Sequence, residues 1–538
     1  MMLDVSAAAN HQFHPGNEQL GLTSVSVALI LCSALLLVVG KSKSWKQYKT
    51  EQQTVSHTTH GGARPVPGPR GIPIFGNIFQ LDDKIHESFM KLAEVYGDVF
   101  QIKIASRKIV VLNGTKAIHQ ALVRQSTDFA GRPDLPSMSV MDETTGRALT
   151  FTTHCERWRL HRKISERALR HFTSGRQVET LQSKVMFEVQ NLIDFWSNNN
   201  EDVDVVLDPE RTLQLSASNV IASFLFSKRR ELDDPELLSL LNLQRGFSDV
   251  FSTANMVDFM PWLLHLAPKV FNNFRSYLNQ FKSFFDDTIQ EHLEAHAPDA
   301  DGDIMDYMLT LTDHIDQEEL RRVGLNHREV LAATYDFFGA GSDTVPATLM
   351  WLLSYMVTHP DIQEAVHREL DSVLGDDNRR TPHLNDRDCL PLTEAVIAEA
   401  QRHASVIALT IPHSTTRDTV LGGGYDFEIA KDTIVFVNLH SVHYNRTVFP
   451  EPDKFIPQRF LHEDGSINRE MTSQLVAFGA GRRRCIGSEI AKVELFLYFS
   501  TLMQTFRFSC PEGETVSLQG TSGLVSKPVL KSLRIKRR

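Results

Sequence analysis

The chain has 538 residues, a net charge of −10 and a pI near 6.1. This length without internal repeats favours one large domain, and the acidic balance argues against a general affinity for nucleic acid, which usually requires a basic excess. The five cysteines are scattered and form no Cys-x-x-Cys pair, which argues against a disulfide framework or a cysteine-based zinc site and indicates a reducing compartment.

An uncharged stretch near the start predicts a membrane anchor. Residues 20–39 carry no charge and are about long enough to cross a bilayer as a helix. Lysines follow at positions 41, 43, 46 and 49, so the positive-inside rule predicts a short luminal segment at 1–19, a transmembrane anchor at 20–40 and a cytosolic remainder. A cleaved signal peptide is the alternative, but the preceding segment lacks a positive region and Gly40-Lys41 is a poor cleavage context.

A polar connector and a proline-rich hinge occupy residues 41–77. Prolines at 65, 67, 69 and 73 stiffen the hinge into an extended strut. Residues 78–538 then form the main domain. Apolar spacing of 3.6 residues predicts helices at 87–96, 116–125, 156–169, 178–198, 235–242 and 269–296. A long apolar segment at about 327–358 is interpreted as a further helix. Strand patterns are fewer and predict a hairpin at 99–104 and 108–112 and a later strand at 433–437. The expected class is α+β, mostly helical, with a small β-rich side.

The long helix predicted at 327–358 carries Gly-Ala-Gly at 339–341, followed by Asp343 and Thr344. Two glycines inside a helix cost about 1 kcal/mol each, so another group is expected to approach the helix closely there. A neighbouring carboxyl and hydroxyl can deliver protons, although a helical threonine more often bonds back to a carbonyl of the preceding turn. Pro346 lacks an N–H and predicts a kink at this turn.

One cysteine, Cys485, lies in a glycine-punctuated, arginine-rich loop at 478–487, which reads Phe-Gly-Ala-Gly-Arg-Arg-Arg-Cys-Ile-Gly. A thiolate that binds haem iron needs a loop that presents sulfur to a flat ring and small residues where the chain passes that ring. A free cysteine in a basic turn is the alternative, but it leaves the Phe-x-x-Gly-x-Arg-x-Cys-x-Gly pattern unexplained. With this loop, Ala-Gly-x-Asp-Thr at 340–344 and Glu-x-x-Arg at 399–402, the chain resembles the cytochrome P450 superfamily.

The resemblance implies the cytochrome P450 fold and haem b held by the Cys485 thiolate. Asp343 and Thr344 then form the catalytic pair that delivers protons to dioxygen. Glu399 and Arg402 share one helix face, and the resemblance implies that they are buried and joined by Arg459. The other residues that match cofactor contacts of the superfamily are Arg132, Trp158, Arg162, His413, Phe478, Arg483 and Gly487.

Several short motifs resemble animal family 1 of this superfamily, the aryl-hydrocarbon-inducible group. One of them is Ile-Pro-His-Ser-Thr-Thr-Arg-Asp-Thr at 411–419. Members of that group oxidise planar aromatic compounds, and several hydroxylate oestrogens. Phe151, Phe247 and Phe338 correspond to the aromatic walls of the substrate pocket, and Ala340 to its floor beside the iron. Phenyl faces favour polycyclic substrates through offset stacking.

These features imply a monooxygenase of the endoplasmic reticulum membrane, with a single-pass anchor and a cytosolic catalytic domain. One atom of O2 enters a lipophilic substrate, planar aromatic or oestrogen-like, and the other leaves as water. The chain has no flavin or nicotinamide motif, so electrons are expected from an NADPH-dependent flavoprotein reductase, with cytochrome b5 as a second candidate partner. A basic surface for an acidic partner is predicted from Arg157, Arg159, Arg162, Lys163, Arg482 and Arg484.

Three other functions stay open at this point. A steroidogenic hydroxylase of the 17- or 21-position type shares the microsomal layout and would oxidise one steroid tightly. A haem-based ligand binder or sensor would bind ligand without consuming NADPH. A thiolate isomerase would need no reductase, but such enzymes typically lack the acid and threonine found at 343 and 344.

Overall fold

The computed structural model describes residues 63–144, 147–198, 203–243, 257–262, 265, 268–297, 302–375, 380–521 and 523–538. The predicted luminal segment, the anchor, most of the connector and Phe247 lie outside the described residues. Within these ranges, no helix combines the length and the apolar composition that crossing a membrane requires.

Helices make up most of the described chain, and local sequence explains where several begin. The Asp208 side chain accepts the Glu210 N–H at the start of one helix, and Asn326 with Glu329 forms a capping box at another. The helices are α1 (Ile85–Tyr96), α2 (Gly114–His119), α3 (Pro136–Thr144), α4 (Glu156–Phe172), α5 (Gln177–Ser197), α6 (Pro209–Phe226), α7 (Pro268–Ala295), α8 (Ile304–Asp313), α9 (Gln317–Val323), α10 (His327–Leu331), α11 (Ala333–Thr358), α12 (Pro360–Leu374), α13 (Pro391–Ala404), α14 (His440–His443), α15 (Arg469–Ser473) and α16 (Ser488–Thr505). Residues 235–243 are also helical.

The described strands form three small sheets. They are β1 (Arg64–Pro65), β2 (Val99–Ile104), β3 (Arg107–Leu112), β4 (Asp204–Leu207), β5 (His413–Ser414), β6 (Thr419–Leu421), β7 (Phe427–Ile429), β8 (Ile434–Val437), β9 (Phe506–Ser509) and β10 (Leu533–Arg537). The largest sheet has the order β2-β3-β8-β5 and contains the predicted hairpin, in which Val99 lies opposite Leu112. The other two have the orders β1-β7-β6 and β4-β10-β9. The prediction of a mostly helical α+β domain with a small β-rich side is confirmed.

Helix α11 is the centre of the core. It packs against α6, α13 and α16, and residues 345–356 are buried on all sides. The helix continues through Pro346 without interruption. A Cβ added to Gly341 would lie 2.8 Å from Ile221 Cγ1 of α6. Gly341 therefore allows close packing of two helices, a reason for this glycine that the sequence did not reveal.

Candidate active site

A cavity of about 930 Å³ separates the cysteine loop from α11. Cys485, Phe478 and Gly487 line it from the loop, whereas Ala340 and Thr344 line it from α11. The structure thus brings the two halves of the predicted site, more than a hundred residues apart in sequence, to one space.

Glycines determine the path of the loop that presents Cys485. Gly481 has a φ of +68°, and a Cβ there would lie 1.7 Å from the Leu122 carbonyl oxygen, so no other residue fits without a backbone shift. The Cys485 N–H donates to the Phe478 carbonyl at 2.9 Å, and α16 begins immediately after Gly487. This fold aims the thiol at the cavity from the start of an 18-residue helix.

The surroundings of Cys485 affect the pKa of its thiol in opposite directions. Burial raises its pKa, while the backbone N–H of Gly487 and the positive charges of Arg162 and Arg484 lower it. The surrounding donors and cations are therefore arranged to favour the thiolate once a metal ion competes for the sulfur.

Two partly buried arginines line the cavity without a carboxylate partner in ion-pair contact. Arg132 donates from Nε to the Thr150 carbonyl at 2.8 Å and from Nη1 to the Pro412 carbonyl at 3.0 Å. Arg483 donates to three carbonyls, among them that of Thr152 at 2.7 Å. In the described part of the chain neither guanidinium forms an ion pair. Burial lowers the pKa of Arg132 to about 9, and burial together with the charge of Arg132 lowers that of Arg483.

Trp158 and Arg162 lie beside these cations on α4. The Trp158 indole N–H donates to the Leu149 carbonyl at 2.9 Å, and its ring lies 4.0 Å from the Arg483 guanidinium carbon and 5.4 Å from that of Arg162. Arg162 also pairs with Glu166 at 2.8 Å. Trp158 thus orients two arginines through cation–π contacts, and its own contact with a cofactor stays a prediction.

His413 is fully enclosed and uncharged at neutral pH. Its Nδ1 lies 2.7 Å from the Phe129 carbonyl, which can only accept, so Nδ1 carries the proton and Nε2 has the lone pair. Burial first, and the charge of Arg132 second, lower the pKa of His413 to about 3. A carboxylate placed against Nε2 would favour the protonated ring and raise that pKa.

The acid and the hydroxyl of α11 are both held by neighbours. Thr344 Oγ1 donates to the Ala340 carbonyl at 3.0 Å, which is the back-bonded geometry of the alternative interpretation. Asp343 Oδ1 lies 2.9 Å from Lys527 Nζ, and Lys527 also reaches Glu210 at 3.4 Å. Burial lowers the pKa of Lys527, but the two carboxylates outweigh burial and raise it, so the ammonium is charged.

Two further residues of the site were missed by sequence reasoning. Lys527 is one, because nothing in the pattern around it indicates an ion pair with Asp343. Asp336 is the other: its carboxylate accepts the N–H groups of Leu149 and Thr150, both at 2.8 Å. Asp336 therefore fixes the segment whose carbonyls hold Arg132 and Arg483. Burial raises the pKa of Asp336, and the two backbone N–H groups oppose that rise.

The predicted triad is present. Glu399 Oε2 accepts Arg402 Nε at 2.7 Å, and Glu399 Oε1 accepts Arg459 Nε at 3.2 Å. The side chains of Glu399 and Arg402 are fully buried. Arg402 also donates to the carbonyls of His443 and Pro452, both at 2.9 Å. The triad ties α13 to the segment that precedes the cysteine loop.

Only some of the residues predicted to bind substrate line the cavity. Phe151 and Ala340 line the cavity. The prediction that Phe338 forms a wall is wrong for the described residues: its side chain is 1% exposed and packs against Phe285, with ring centroids 5.1 Å apart. Its neighbour Phe337 lines the cavity instead, because consecutive helical residues point about 100° apart. The predicted wall Phe247 lies outside the described residues.

The residues fit the expected haem. One face of the cavity offers a thiol, and the other offers small residues and a hydroxyl. Two partly buried guanidiniums donate hydrogen bonds to carbonyls and form no ion pair within the described residues, so they would bind negative charge. The two carboxylates of haem would supply that charge through charge-assisted hydrogen bonds. Cys485 would hold the iron, and Arg132, Arg483 and His413 would hold the carboxylates.

Comparisons with known proteins point the same way. A family model described as Cytochrome P450 matches residues 66–535. The chain is 37% identical over 513 residues to cytochrome P450 1A1 of Canis lupus familiaris, covering 94% of each protein. It is 35% identical over 514 residues to cytochrome P450 1A5 of Gallus gallus, again covering 94% of each. It is 37% identical over 490 residues to cytochrome P450 1A1 of Oryzias latipes, covering 88% of this chain and 92% of that relative.

Proposed function

The chain belongs to the cytochrome P450 family, whose members bind haem b through an axial cysteine thiolate, and we propose that it oxidises lipophilic planar aromatic substrates with electrons that a flavoprotein reductase takes from NADPH. Family membership itself gives the coarser statement, a haem-thiolate monooxygenase. The observation that carries the proposal is a cavity that Cys485, Arg132, Arg483 and Thr344 all line.

The bound haem would supply dioxygen activation and electron transfer. Cys485 would hold the iron of that group, and Arg132 and Arg483 would bind its carboxylates. Thr344 Oγ1 lies on the opposite wall and can release a proton after its O–H turns away from the Ala340 carbonyl.

Asp343 would return the proton to Thr344 from the solvent side. Its carboxylate is fixed by Lys527, which in turn contacts Glu210, and the Glu210 side chain is 38% exposed. The three charged groups therefore connect the turn that contains Thr344 with the surface. We assign Lys527 the role of a positioning residue that orients the Asp343 carboxyl group.

The walls of the cavity favour a flat apolar ligand. Phe151, Phe281 and Phe337 line it together with Leu225 and Val345. Phenyl rings bind polycyclic aromatics through offset and edge-to-face contacts, worth roughly 0.5–1.5 kcal/mol per pair beyond area burial. The similarity to cytochrome P450 1A1 proteins supports the same substrate class.

The proposed electron donor would dock on the face near Cys485. Arg157, Arg159 and Arg162 of the predicted basic surface pair with Glu329, Glu156 and Glu166. The exposed Lys163, Arg482 and Arg484 form no ion pair within the described ranges and are the better candidates to attract an acidic partner. Cytochrome b5 is a second candidate for this face. Charge reversal at Lys163 or Arg482 should raise the reductase concentration needed for half-maximal rate, and added salt should do the same to the wild type.

One reconstitution tests the function. Purified protein, reductase and NADPH are offered an alkoxyresorufin, a polycyclic arene and oestradiol, and products are identified. We expect oxygenated products from the planar aromatics and none from Cys485→Ser, whereas Cys389→Ser, at an exposed cysteine elsewhere, keeps activity. Turnover of a single steroid only would instead support a steroid hydroxylase. Ligand binding without NADPH consumption would support a binder or sensor, and turnover without reductase an isomerase.

The proposed location is the endoplasmic reticulum membrane, with residues 20–40 as a single-pass anchor and a cytosolic catalytic domain. The uncharged run followed by lysines supports this arrangement. Membrane fractionation of the full chain and of a chain lacking residues 1–40 tests it. Equal membrane association of both would refute the anchor.

A further inference from the structure

Three side chains from separate segments of the chain meet at the surface away from the cavity. His296 follows α7 directly, Asp313 is the last residue of α8, and His327 is the first residue of α10. His296 Nε2 lies 2.7 Å from Asp313 Oδ2, and His327 Nε2 lies 2.7 Å from Asp313 Oδ1. One carboxylate therefore holds an imidazole on each of its oxygens.

We propose that His296, Asp313 and His327 bind a divalent transition-metal ion, with zinc as the physiological candidate. Their ligand atoms all lie within 4.8 Å of one another. Around tetrahedral zinc, with bonds of roughly 2.0–2.2 Å, ligand atoms are about 3.3 Å apart, so small side-chain rotations open the triad to the required spacing. Two imidazoles and a carboxylate suit zinc, copper and nickel, whereas magnesium and calcium prefer sites made of oxygen only.

Electrostatics at this point favour a cation. Helix α8 ends at Asp313 and α7 ends just before His296, and the carbonyl ends of helices carry partial negative charge. The nearby cation Arg328 is engaged by Asp286 at 3.2 Å.

Exposure leaves room for the ion and a fourth ligand. The side chains of His296, Asp313 and His327 are 15%, 32% and 33% exposed. Water can therefore complete a tetrahedral shell, as in zinc sites with three protein ligands. Coordination at Nε2 leaves the remaining ring proton on Nδ1 of each histidine.

A neighbouring group of similar composition lacks these properties and serves as the matched control. His292 Nε2 contacts Asp303 Oδ2 at 3.0 Å, but Asp303 Oδ1 caps α8 by accepting the N–H groups of Met305 and Asp306. Asp306 in turn accepts the Asp303 N–H at 3.2 Å. Both carboxylates are thus used by the helix cap, and only one imidazole is available.

Metal binding would join three segments of the chain, and two of them are connected to helices that line the cavity. Helix α7 carries Phe281, which lines the cavity, and α10 leads directly into α11. An ion at the triad would fix the end of α7 against the start of the α10–α11 region. The expected consequence is higher thermal stability, because a ligand that binds only the folded state stabilises it. This inference does not depend on the proposed oxidation chemistry.

Binding is measured on the full-length holoprotein without a histidine tag, after treatment with a chelator. Titration with Co²⁺ should produce the visible absorption of a tetrahedral site, read as a difference spectrum against the haem background, and Zn²⁺ should displace it. Equilibrium dialysis should find one Zn²⁺ more per protein in the wild type than in His327→Gln or Asp313→Asn. Zinc should raise the melting temperature of the wild type and of His292→Gln, and not that of the triad variants.

The variants are first checked for haem content, so that a folding defect is not mistaken for a lost site. If His327→Gln folds poorly, His296→Gln provides the same test at the opposite oxygen of Asp313. Equal zinc stoichiometry and equal thermal shift in the wild type and in every correctly folded triad variant would overturn the proposal. So would a loss of zinc binding in His292→Gln alone.

Discussion

Removal of the Glu399 carboxylate should prevent stable haem incorporation rather than merely slow turnover. The carboxylate is fully buried and accepts four N–H groups: two from Arg402 at 2.7 and 2.9 Å, one from Arg459 at 3.2 Å and the backbone N–H of Ile456 at 2.8 Å. In Glu399→Ala the hydrogen bonds of the fully buried Arg402 guanidinium go to carbonyls alone, and no carboxylate faces it. Its charge is then uncompensated in a low-dielectric interior.

The magnitude follows from that burial. Breaking a buried ion pair by removing one partner costs about 3–5 kcal/mol, against a total stability of about 5–15 kcal/mol for a typical domain. Arg402 also holds the carbonyls of His443, Pro452 and Lys454, so the strain falls on the segment that leads to the cysteine loop. Haem binding depends on that loop and should suffer first.

The assay is the haem-to-protein ratio of purified protein, with the reduced carbon monoxide difference spectrum as the measure of intact thiolate ligation. Glu394→Ala is the matched control on the same helix, because Glu394 pairs with Arg387 at 2.8 Å but both side chains are partly exposed. Exposed pairs contribute about 0–1 kcal/mol, so this variant should retain haem. Glu399→Gln keeps the shape and loses the charge, and we expect it to fall between the two. Normal haem content in Glu399→Ala, or equal losses in Glu399→Ala and Glu394→Ala, would refute the reasoning.

Three other changes test the cavity. Thr344→Ala should lower product formed per NADPH by at least ~10-fold, with substrate affinity unchanged, since it removes a proton donor; unchanged coupling, measured as product against NADPH consumed, contradicts this role. Lys527→Met should slow product formation roughly 10-fold and change the pH profile of that rate. Lys527→Arg keeps the positive charge and should keep most of the rate. Identical pH profiles in the wild type and Lys527→Met would show that the ion pair is only structural. Gly481→Ala should lower the free energy of unfolding by more than ~2 kcal/mol and lose haem, because the added Cβ would collide with the Leu122 carbonyl. Gly479→Ala is the control, since Gly479 has the same φ but its added Cβ would have its nearest contact at 4.0 Å and would cause only backbone strain. Equal haem retention in the two variants would contradict the steric argument.

Contiguous patterns were predictable from the sequence. The cysteine loop and the Glu399–Arg402 pair are short sequence motifs, and the spacing of their residues determines their local geometry. The hairpin of β2 and β3 follows from the alternation of apolar and polar residues at the end of β2, a short turn and the β-branched apolar run of β3. By contrast, α6 was missed because residues 213–222 are buried on all sides, so the helix has no amphipathic period.

Long-range pairs were not predictable. Lys527 lies in a C-terminal loop, and only the tertiary fold brings it to Asp343. The same holds for β4, whose partner β10 is near the C-terminus. For Phe338 and Phe337, both on α11, the sequence predicts a helix but not its rotation about its own axis, and that rotation decides which ring reaches the cavity.

The cluster of cations at the site implies that haem binding and folding are coupled. Arg132, Arg162 and Arg483 are all shifted to lower pKa, first by burial, and the charges of Arg132 and Arg162 depress the pKa of Arg483 further. Such mutual repulsion opposes folding of the polypeptide alone, and two carboxylates placed among these groups remove it. The same argument applies to the thiol of Cys485, whose pKa burial raises and whose deprotonation a metal ion favours. The folded arrangement of these arginines and of the thiol is therefore stabilised chiefly by bound haem. For this reason haem content, rather than reaction rate, is the quantity to measure in the Glu399 variant.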